Sequence, residues 1–260
     1  MTAYRLRLPV LVLTATVALA ACSSSGGSGS DGGGSSSGGS ITVYAAASLT
    51  GAFNQIGEDF KKANPGTDIT FQFGSSGALA TQITQGADAD VFASAATKNM
   101  QQVIDGGEAR ASTNFVSNVA EIAVAPGNPK KITTLADLAK PGTRVALCVP
   151  TAPCGALARS IFDKAGVTVT PTANEADVKH TLAIVETGEV DASVVYVTDV
   201  KAAGGDVDGV EIPAAQNEST EYPIATLSGS KHAALAEAFV QYVESAAGQK
   251  VLADAGFSAP

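Results

Sequence analysis

Serine hydroxyls and small residues follow two of the β-rich segments of this sequence. Ser48 ends the segment "ITVYAAAS", and Ser75, Ser76 and Gly77 follow a second segment in "FGSSGAL". A helical pattern begins directly after each of them. The first amides of a helix have no partner within the helix, and with the helix dipole and nearby hydroxyls they bind anions. These two junctions are therefore candidates for an anion site in which small residues leave the backbone accessible.

The same serines have an alternative role as helix caps. Serine is a preferred N-cap residue, and Gly-Ser loops join strands to helices in many α/β proteins. In that role, Ser48 and Ser76 would stabilise their own helices and contact no ligand. The residue types alone leave both roles open.

Three further positions are candidates of the same kind. In "VPTAPCGAL", Pro153 and Gly155 flank Cys154 before another helical segment. The segment "NEADVKHTL", Asn174 to Leu182, predicts a helix start whose acidic residues suit the helix dipole. Tyr196 ends the strand-like segment "SVVYV" and, judged without further context, is an aromatic residue whose hydroxyl is satisfied locally.

Catalytic motifs are missing from the sequence. It contains no G-x-S-x-G elbow, Walker loop, G-x-G-x-x-G fingerprint or H-E-x-x-H motif. A secreted serine hydrolase that uses Ser48 or Ser76 is a remote alternative, since it needs a histidine within hydrogen-bond reach. His180 and His232 have no obvious partner in the sequence. We therefore expect a binding protein and not an enzyme.

The cysteines predict one disulfide. Of the three, Cys22 lies in an export segment described below, which leaves Cys148 and Cys154 as a pair in an oxidising compartment. A bridge across this short loop contributes about 2 kcal/mol in the chain-entropy model. A zinc site is the weaker alternative, because two cysteines with no histidine nearby in the sequence do not fill a zinc shell.

Short β-rich segments alternate with longer segments of helical period from Ile41 onward. The predicted strands are Ile41–Ala45, Ile69–Phe73, Asp90–Ser94, Val119–Ala125, Val145–Val149, Ala192–Val197 and Tyr222–Leu227. The predicted helices are Leu49–Asn64, Gly77–Gln85, Thr97–Gly106, Leu135–Ala139, Gly155–Ala165, Glu175–Thr187, His232–Ser245 and Gly248–Ala255. This order predicts an α/β fold of mostly parallel sheets covered by helices, with ligands at the carboxyl ends of the strands.

The N-terminal segment predicts export and lipid anchoring. Arg5 and Arg7 precede an apolar run, Leu8 to Ala21, that is short for a membrane span. The run ends in "LAAC", which resembles the lipobox of bacterial lipoproteins, so residues 1–21 are predicted to be a signal peptide and Cys22 to be acylated. The alternative is an ordinary signal peptide that leaves Cys22 unmodified.

Residues 22–40 are predicted to be the lipidated cysteine and a tether. Ser23 to Ser40 contains only Gly and Ser apart from Asp31, which predicts a flexible chain with a reach of roughly 24 Å before a folded body that starts at Ile41. Without the signal the chain has 14 basic and 25 acidic residues, a formal charge of −11. That charge excludes nucleic acid as an expected partner, because phosphate contacts need clustered Lys and Arg.

Segments spread over nearly the whole body resemble a known family. They are "ITVYAAASLTGAF", "FGSSGALATQI", "GADADVFASA", "NEADVKHTLAIVETGEVDASVVYVTD" and "EYPIA", in this order from Ile41 to about Phe257. They resemble signature segments of the periplasmic molybdate-binding proteins that supply molybdate ABC transporters. The resemblance implies a two-lobed, type II-like periplasmic-binding-protein fold with the ligand in the cleft between the lobes. It implies that residues 41–118 plus 223–260 form lobe 1 and residues 119–222 form lobe 2, with crossings near Asn118 and Tyr222.

The resemblance also implies a ligand set of neutral donors. Lobe 1 would offer the hydroxyls and amides of Ser48 and Ser76. Lobe 2 would offer the amides of Cys154 and Val178 and the phenol of Tyr196. The family usually has alanine where this chain has Cys154, which makes this position the main departure. Molybdenum is expected only as the bound oxyanion, with no direct protein–metal bond and no cofactor.

The implied function is a monomeric receptor on the outer face of the cell membrane, or in the periplasm. It would bind molybdate or tungstate and deliver the anion to a membrane permease with its ATPase. A receptor for sulfate, another oxyanion or a small organic acid is the alternative. An organic acid is commonly met by an arginine fork, so Arg144 or Arg159 in the cleft would favour it.

Overall fold

The computed structural model describes residues 38–260. The predicted signal peptide, Cys22 and the tether as far as residue 37 lie outside the described residues. Within the described part, no helix is long and apolar enough to cross a membrane. The first strand begins at Gly39, not at Ile41 as predicted, because Gly39 and Ser40 pair with the neighbouring strand through their backbones alone.

Strands and helices alternate along the described chain. The strands are β1 Gly39–Ala46, β2 Thr67–Gly74, β3 Val91–Ala93, β4 Thr113–Val124, β5 Val145–Cys148, β6 Ala173–Glu175, β7 Ala192–Tyr196, β8 Asp208–Glu211 and β9 Ser219–Thr226. The helices are α1 Thr50–Ala63, α2 Ser76–Thr84, α3 Thr97–Asp105, α4 Pro153–Ala165, α5 Val178–Glu186, α6 Val197–Ala203, α7 Ala233–Glu244 and α8 Ala246–Ala255. Two short 3-10 turns cover Ala47–Leu49 and Leu135–Ala139.

The strands form a mixed sheet in the order β2-β1-β3-β9-β4-β7-β5-β6, with β8 paired to β4. Strands that are linked through helices pair in parallel: β1 with β2 and β3, and β5 with β6 and β7. The long strands β4 and β9 introduce antiparallel pairs with β3, β7, β8 and each other. The fold is therefore α/β, as predicted, and its antiparallel part is concentrated where the two long strands meet.

Strand β4 divides the sheet into two halves. From Thr113 to Val119 it pairs with β9, and from Ala120 to Val124 it pairs with β7 and β8. We call the part containing β1, β2, β3 and β9 the first half, and the part containing β5 to β8 the second half. The change of partner lies next to the crossing predicted near Asn118.

Each half has its own buried core. In the first half, Phe53 and Phe60 both pack edge-to-face on Phe239, with ring centroids 6.1 and 5.5 Å from that of Phe239. In the second half, aliphatic residues such as Ile122 and Ile161 fill the space between the sheet and α4. These cores hold the strand ends in place and so fix the junctions at which the candidate residues lie.

Several predicted boundaries need correction, the largest at β4, which begins at Thr113 and not at Val119. The helix predicted from Glu175 begins at Val178, because Glu175 pairs with Cys148 in β6 and Asp177 is the N-cap. The strand predicted to end at Val197 ends one residue earlier, and Val197 opens α6. Helix α6 and the short strands β6 and β8 were not predicted.

Candidate functional site

A small cavity lies between the two halves of the sheet, where several helices begin. All five residues of the predicted ligand set line it: Ser48, Ser76, Cys154, Val178 and Tyr196. The first two come from the first half and the other three from the second half. Small side chains, including Ala46 and Ala47, complete the wall and keep the backbone accessible. The structure thus brings the candidate residues together, while their contact with an anion stays a prediction.

The cavity is the size of one small ion. It leaves about 10 Å³ for the centre of a water-sized sphere. Adding the radius of water, about 1.4 Å, gives a hollow of roughly 2.7 Å radius. A hollow of that size suits a compact anion and is too small for a sugar, a nucleotide or a peptide.

Ser48 lies in the 3-10 turn before α1, and its hydroxyl contacts Tyr222 in strand β9. Its Oγ is 2.9 Å from the phenolic oxygen of Tyr222, which also accepts a weak hydrogen bond from Asn118 Nδ2 at 3.5 Å. Burial raises the pKa of Tyr222, so this phenol keeps its proton at neutral pH. Either oxygen can donate in this contact, and when Tyr222 is the donor the proton of the Ser48 hydroxyl is available for an acceptor in the cavity.

Ser76 is the first residue of α2 and is almost fully buried. Its Oγ accepts a hydrogen bond from the backbone N–H of Ala95 at 2.9 Å, which leaves its proton available for an acceptor in the cavity. The N-cap of α2 is Ser75, whose side chain makes no capping hydrogen bond. Neither Ser48 nor Ser76 is therefore the cap of its helix, and the capping alternative does not account for them.

Cys154 is the second residue of α4, after Pro153 at the first position. It is joined to Cys148 by a disulfide, with the two Cα atoms 5.8 Å apart. Gly155 allows the tight approach of this turn, because a Cβ there would lie 2.1 Å from the carbonyl oxygen of Val149. The N-cap of α4 is an alanine, so no side chain competes for the first amides of this helix.

Val178 opens α5, and its cap leaves one amide free. The Asp177 carboxylate accepts hydrogen bonds from the amides of Lys179 and His180 at 3.0 and 3.1 Å. The Val178 amide is not among the donors to this cap. His180 Nδ1 also lies 3.0 Å from the same carboxylate oxygen, and this contact raises the pKa of His180. The carboxylate is thus held by the helix start and by the imidazole.

Tyr196 ends β7 and is 1% exposed. Its phenolic oxygen makes no hydrogen bond of good geometry with the described residues, although its pKa, which burial raises, is raised further by the neighbouring phenol of Tyr222. Burial raises the pKa of Tyr196 well above its usual value, so the phenol remains a donor at neutral pH. A buried hydroxyl without a partner costs free energy, and at the wall of a cavity it indicates a ligand as the missing partner.

The cavity wall carries few charges. Among the described residues that line it, Asp177 is the only charged one. Arg144 pairs with Asp191 at 2.9 Å, and Arg159 donates to backbone carbonyls of Cys148 and Gly155. Neither arginine lines the cavity, so the feature that would favour an organic acid is not found there.

The two histidines do not complete a catalytic pair. His180 contacts Asp177, and His232 lies exposed at the start of α7. Neither forms a hydrogen bond to Ser48 or Ser76 in the described part of the chain. The serine hydrolase alternative therefore lacks the geometry that it requires.

Sequence reasoning missed the residues behind the cavity wall. Tyr222 contacts Ser48 across the fold and Asn118 contacts the hydroxyl of Tyr222, while Lys179 and Asp199 form an ion pair beside Val178 and Tyr196. Lys179 and Asp199 both lie within the family segment "NEADVKHTLAIVETGEVDASVVYVTD" quoted above. Their ion pair could not be predicted, because no local pattern relates two residues that far apart.

Comparisons with known proteins find relatives that are described as solute-binding or molybdate-binding proteins. The family described as bacterial extracellular solute-binding proteins matches residues 41–258. The molybdate-binding protein ModA of Mycobacterium bovis is 46% identical over 222 residues, which cover 85% of each chain.

Two solved structures share the fold. The substrate-binding domain of a putative molybdenum ABC transporter from Clostridium difficile is 26% identical with a TM-score of 0.63, covering 85% of this chain and 99% of that one. The periplasmic molybdate-binding protein of Azotobacter vinelandii has a TM-score of 0.76 at 20% identity, with coverage of 85% and 99%.

Proposed function

This chain belongs to the bacterial extracellular solute-binding proteins and, within them, to the molybdate-binding proteins, and from that premise we propose that it is a receptor that binds molybdate for ABC-type import. It is a binding protein and not an enzyme. The observation that supports the proposal most directly is the cavity itself. Residues from both halves of the sheet that can donate hydrogen bonds line a hollow the size of one small anion.

The proposed ligand set consists of hydroxyls and amides. Ser48 and Ser76 offer a hydroxyl and an amide each, Cys154 and Val178 an amide each, and Tyr196 its phenol. Five to seven hydrogen bonds to a charged acceptor, at about 1.5–3 kcal/mol each, give a gross of about 8–20 kcal/mol. Micromolar to nanomolar binding needs only about 8–12 kcal/mol, which leaves room for the costs of association.

Neutral donors suit a fully deprotonated tetrahedral anion. Such an anion offers only acceptors, whereas a protonated phosphate also needs an acceptor from the protein. One oxygen of the Asp177 carboxylate, Oδ1, is already occupied by two amides and an imidazole. The acidic surface does not oppose this binding strongly, because exposed charges are screened beyond about 8 Å at physiological ionic strength.

The finer parts of the proposal concern the ligand range and the cellular setting. We infer that tungstate binds in the same cavity, because it has the same charge and shape as molybdate. Cys22 would carry the lipid that holds the protein at the outer face of the membrane, and the Gly/Ser tether would let the monomer reach a permease with its ATPase. Treatment of cells with a labelled fatty acid, with a Cys22→Ser variant as control, tests the anchor.

Calorimetric titration of the chain without residues 1–22 tests the function. Molybdate, tungstate, sulfate and phosphate are titrated separately at neutral pH. We expect the first two to bind at micromolar or tighter affinity, and sulfate and phosphate more weakly. Tightest binding of sulfate would overturn the molybdate assignment, and no binding of any oxyanion would overturn the receptor assignment.

A further inference from the structure

An ion pair joins two of the elements that line the cavity. Lys179 Nζ lies 3.2 Å from Asp199 Oδ1. Lys179 directly follows Val178 in α5. Asp199 lies in the first turn of α6, where its Oδ2 accepts a hydrogen bond from the backbone N–H of Tyr196 at 3.2 Å. The pair therefore connects the backbone that presents the Val178 amide to the residue that presents the phenol.

Asp199 needs this partner because its side chain is completely buried. The Asp199 side chain is 0% exposed, whereas that of Lys179 is 35% exposed. A buried carboxylate is costly unless it is paired. Oδ1 has no hydrogen bond of good geometry with the described residues, although the Lys179 ammonium lies at ion-pair distance, and, after burial, the charge of Lys179 affects the pKa of Asp199 more than its hydrogen bond does. Lys179 thus acts on Asp199 mainly through its charge.

The other groups that act on Asp199 are acidic or neutral. Burial raises the pKa of Asp199, Lys179 opposes this rise, and Asp177 adds to it. The phenols of Tyr196 and Tyr222 also face this carboxylate, and its charge raises the pKa of both. Lys179 is therefore the cation that compensates the negative charge on this side of the cavity.

We propose that Lys179 and Asp199 are positioning residues of the anion site: Asp199 fixes Tyr196 at the start of α6, and Lys179 cancels the carboxylate charge that would otherwise repel the bound dianion. This inference depends on the proposed function, because it assumes a doubly negative ligand in the adjacent cavity. Neither residue lines the cavity, so both act through neighbours that do.

The test compares Lys179→Met with the double variant Lys179→Met/Asp199→Asn. Molybdate affinity is measured by calorimetry between about pH 6 and pH 9, as a ratio to the wild type at each pH. We expect Lys179→Met to bind about tenfold more weakly at the alkaline end and to recover as the pH falls, because the unpaired Asp199 then takes up a proton. The double variant removes that charge and should bind within about threefold of the wild type with a flat ratio.

Two further variants serve as controls. Lys201→Met removes an exposed lysine from the same helix as Asp199 and should leave the affinity unchanged. Lys179→Arg keeps the charge and should also bind like the wild type. Circular dichroism shows which variants are folded, and Lys179→Arg decides the matter if Lys179→Met is not.

Three results would overturn the inference. They are unchanged affinity in Lys179→Met, equal and pH-independent loss in the single and double variants, and loss in folded Lys179→Arg. A wild type that binds no molybdate at all overturns the proposed function instead, so the two failures are distinguishable.

Discussion

Replacement of Tyr196 by phenylalanine is expected to weaken anion binding and to stabilise the ligand-free protein at the same time. The phenol is buried without a hydrogen-bond partner among the described residues. Its ring packs edge-to-face on Tyr222, with centroids 6.1 Å apart. Phenylalanine keeps the ring and this packing and removes only the hydroxyl. The two effects therefore come from the same atom.

The size of each effect follows from what the hydroxyl does. Loss of a hydrogen bond to a charged acceptor costs about 1.5–3 kcal/mol, which is about a 10- to 150-fold increase in Kd. Without ligand, a buried hydroxyl that lacks a partner is itself unfavourable, so its removal should raise the free energy of unfolding by about 1 kcal/mol. Opposite signs for binding and stability are unusual for a buried tyrosine with a satisfied hydroxyl.

Calorimetry with molybdate and urea unfolding without ligand measure the two quantities. Tyr242→Phe is the matched control, because Tyr242 lies on α7 and packs on Phe60 away from the cavity. It should leave the affinity unchanged. Wild-type affinity in Tyr196→Phe, or a loss of stability as large as the loss of binding, would refute the assignment of this phenol as an anion donor.

The remaining predictions concern the two serines of the first half, the close approach of Gly77 to the β5–α4 loop, and the pH dependence of stability. Ser48→Ala and Ser76→Ala should each weaken molybdate binding by about 1–3 kcal/mol in calorimetry, and unchanged affinity in both would remove the serines from the ligand set. Gly77→Ala should weaken binding about tenfold, because a Cβ there would lie 2.5 Å from a backbone carbonyl of the β5–α4 loop; Gly51→Ala, which meets nothing within 4 Å, should bind normally. The pKa of His180 is raised by the N-cap carboxylate of α5, so its stabilising contribution is fully present below its unfolded pKa of about 6.5 and is lost as pH rises through the folded value. Urea unfolding of wild type and His180→Gln should therefore differ most in acid, and an equal difference at all pH values would contradict this reading.

Local sequence patterns predicted the junctions but not their partners. Ser48 and Ser76 could be singled out because small and hydroxyl residues stand directly between a β-rich segment and a helical one. The contact between Ser48 and Tyr222 joins residues 174 positions apart. No period or spacing encodes such a contact, since it arises only when β9 returns to pair with β3 and β4.

Short elements escaped prediction for a physical reason. The strand β6 has three residues, "ANE", and β8 has the sequence "DGVE", so neither shows the β-branched alternation of a half-buried strand. They are strands because neighbours offer them backbone partners. The helix α6 follows β7 without a loop, and its first residue, Val197, continues the β-branched pattern of the strand. Tertiary context decided all three.

The way the helices begin explains why the cavity suits a ligand. Helices α8 and α5 each have a side chain that caps their first amides, Ser245 in α8 and Asp177 in α5, and α7 begins at an exposed residue where water can serve. In contrast, α2 and α4 begin at the cavity with no capping hydrogen bond from a side chain. The first amides of a helix have no partner within the helix, and at the cavity wall they lie beside the unpartnered phenol of Tyr196. An anion that only accepts hydrogen bonds would satisfy all of these donors at once, whereas a neutral ligand of the same size would leave several unsatisfied. The donors therefore favour an oxyanion because its lone pairs match what the helix starts leave open.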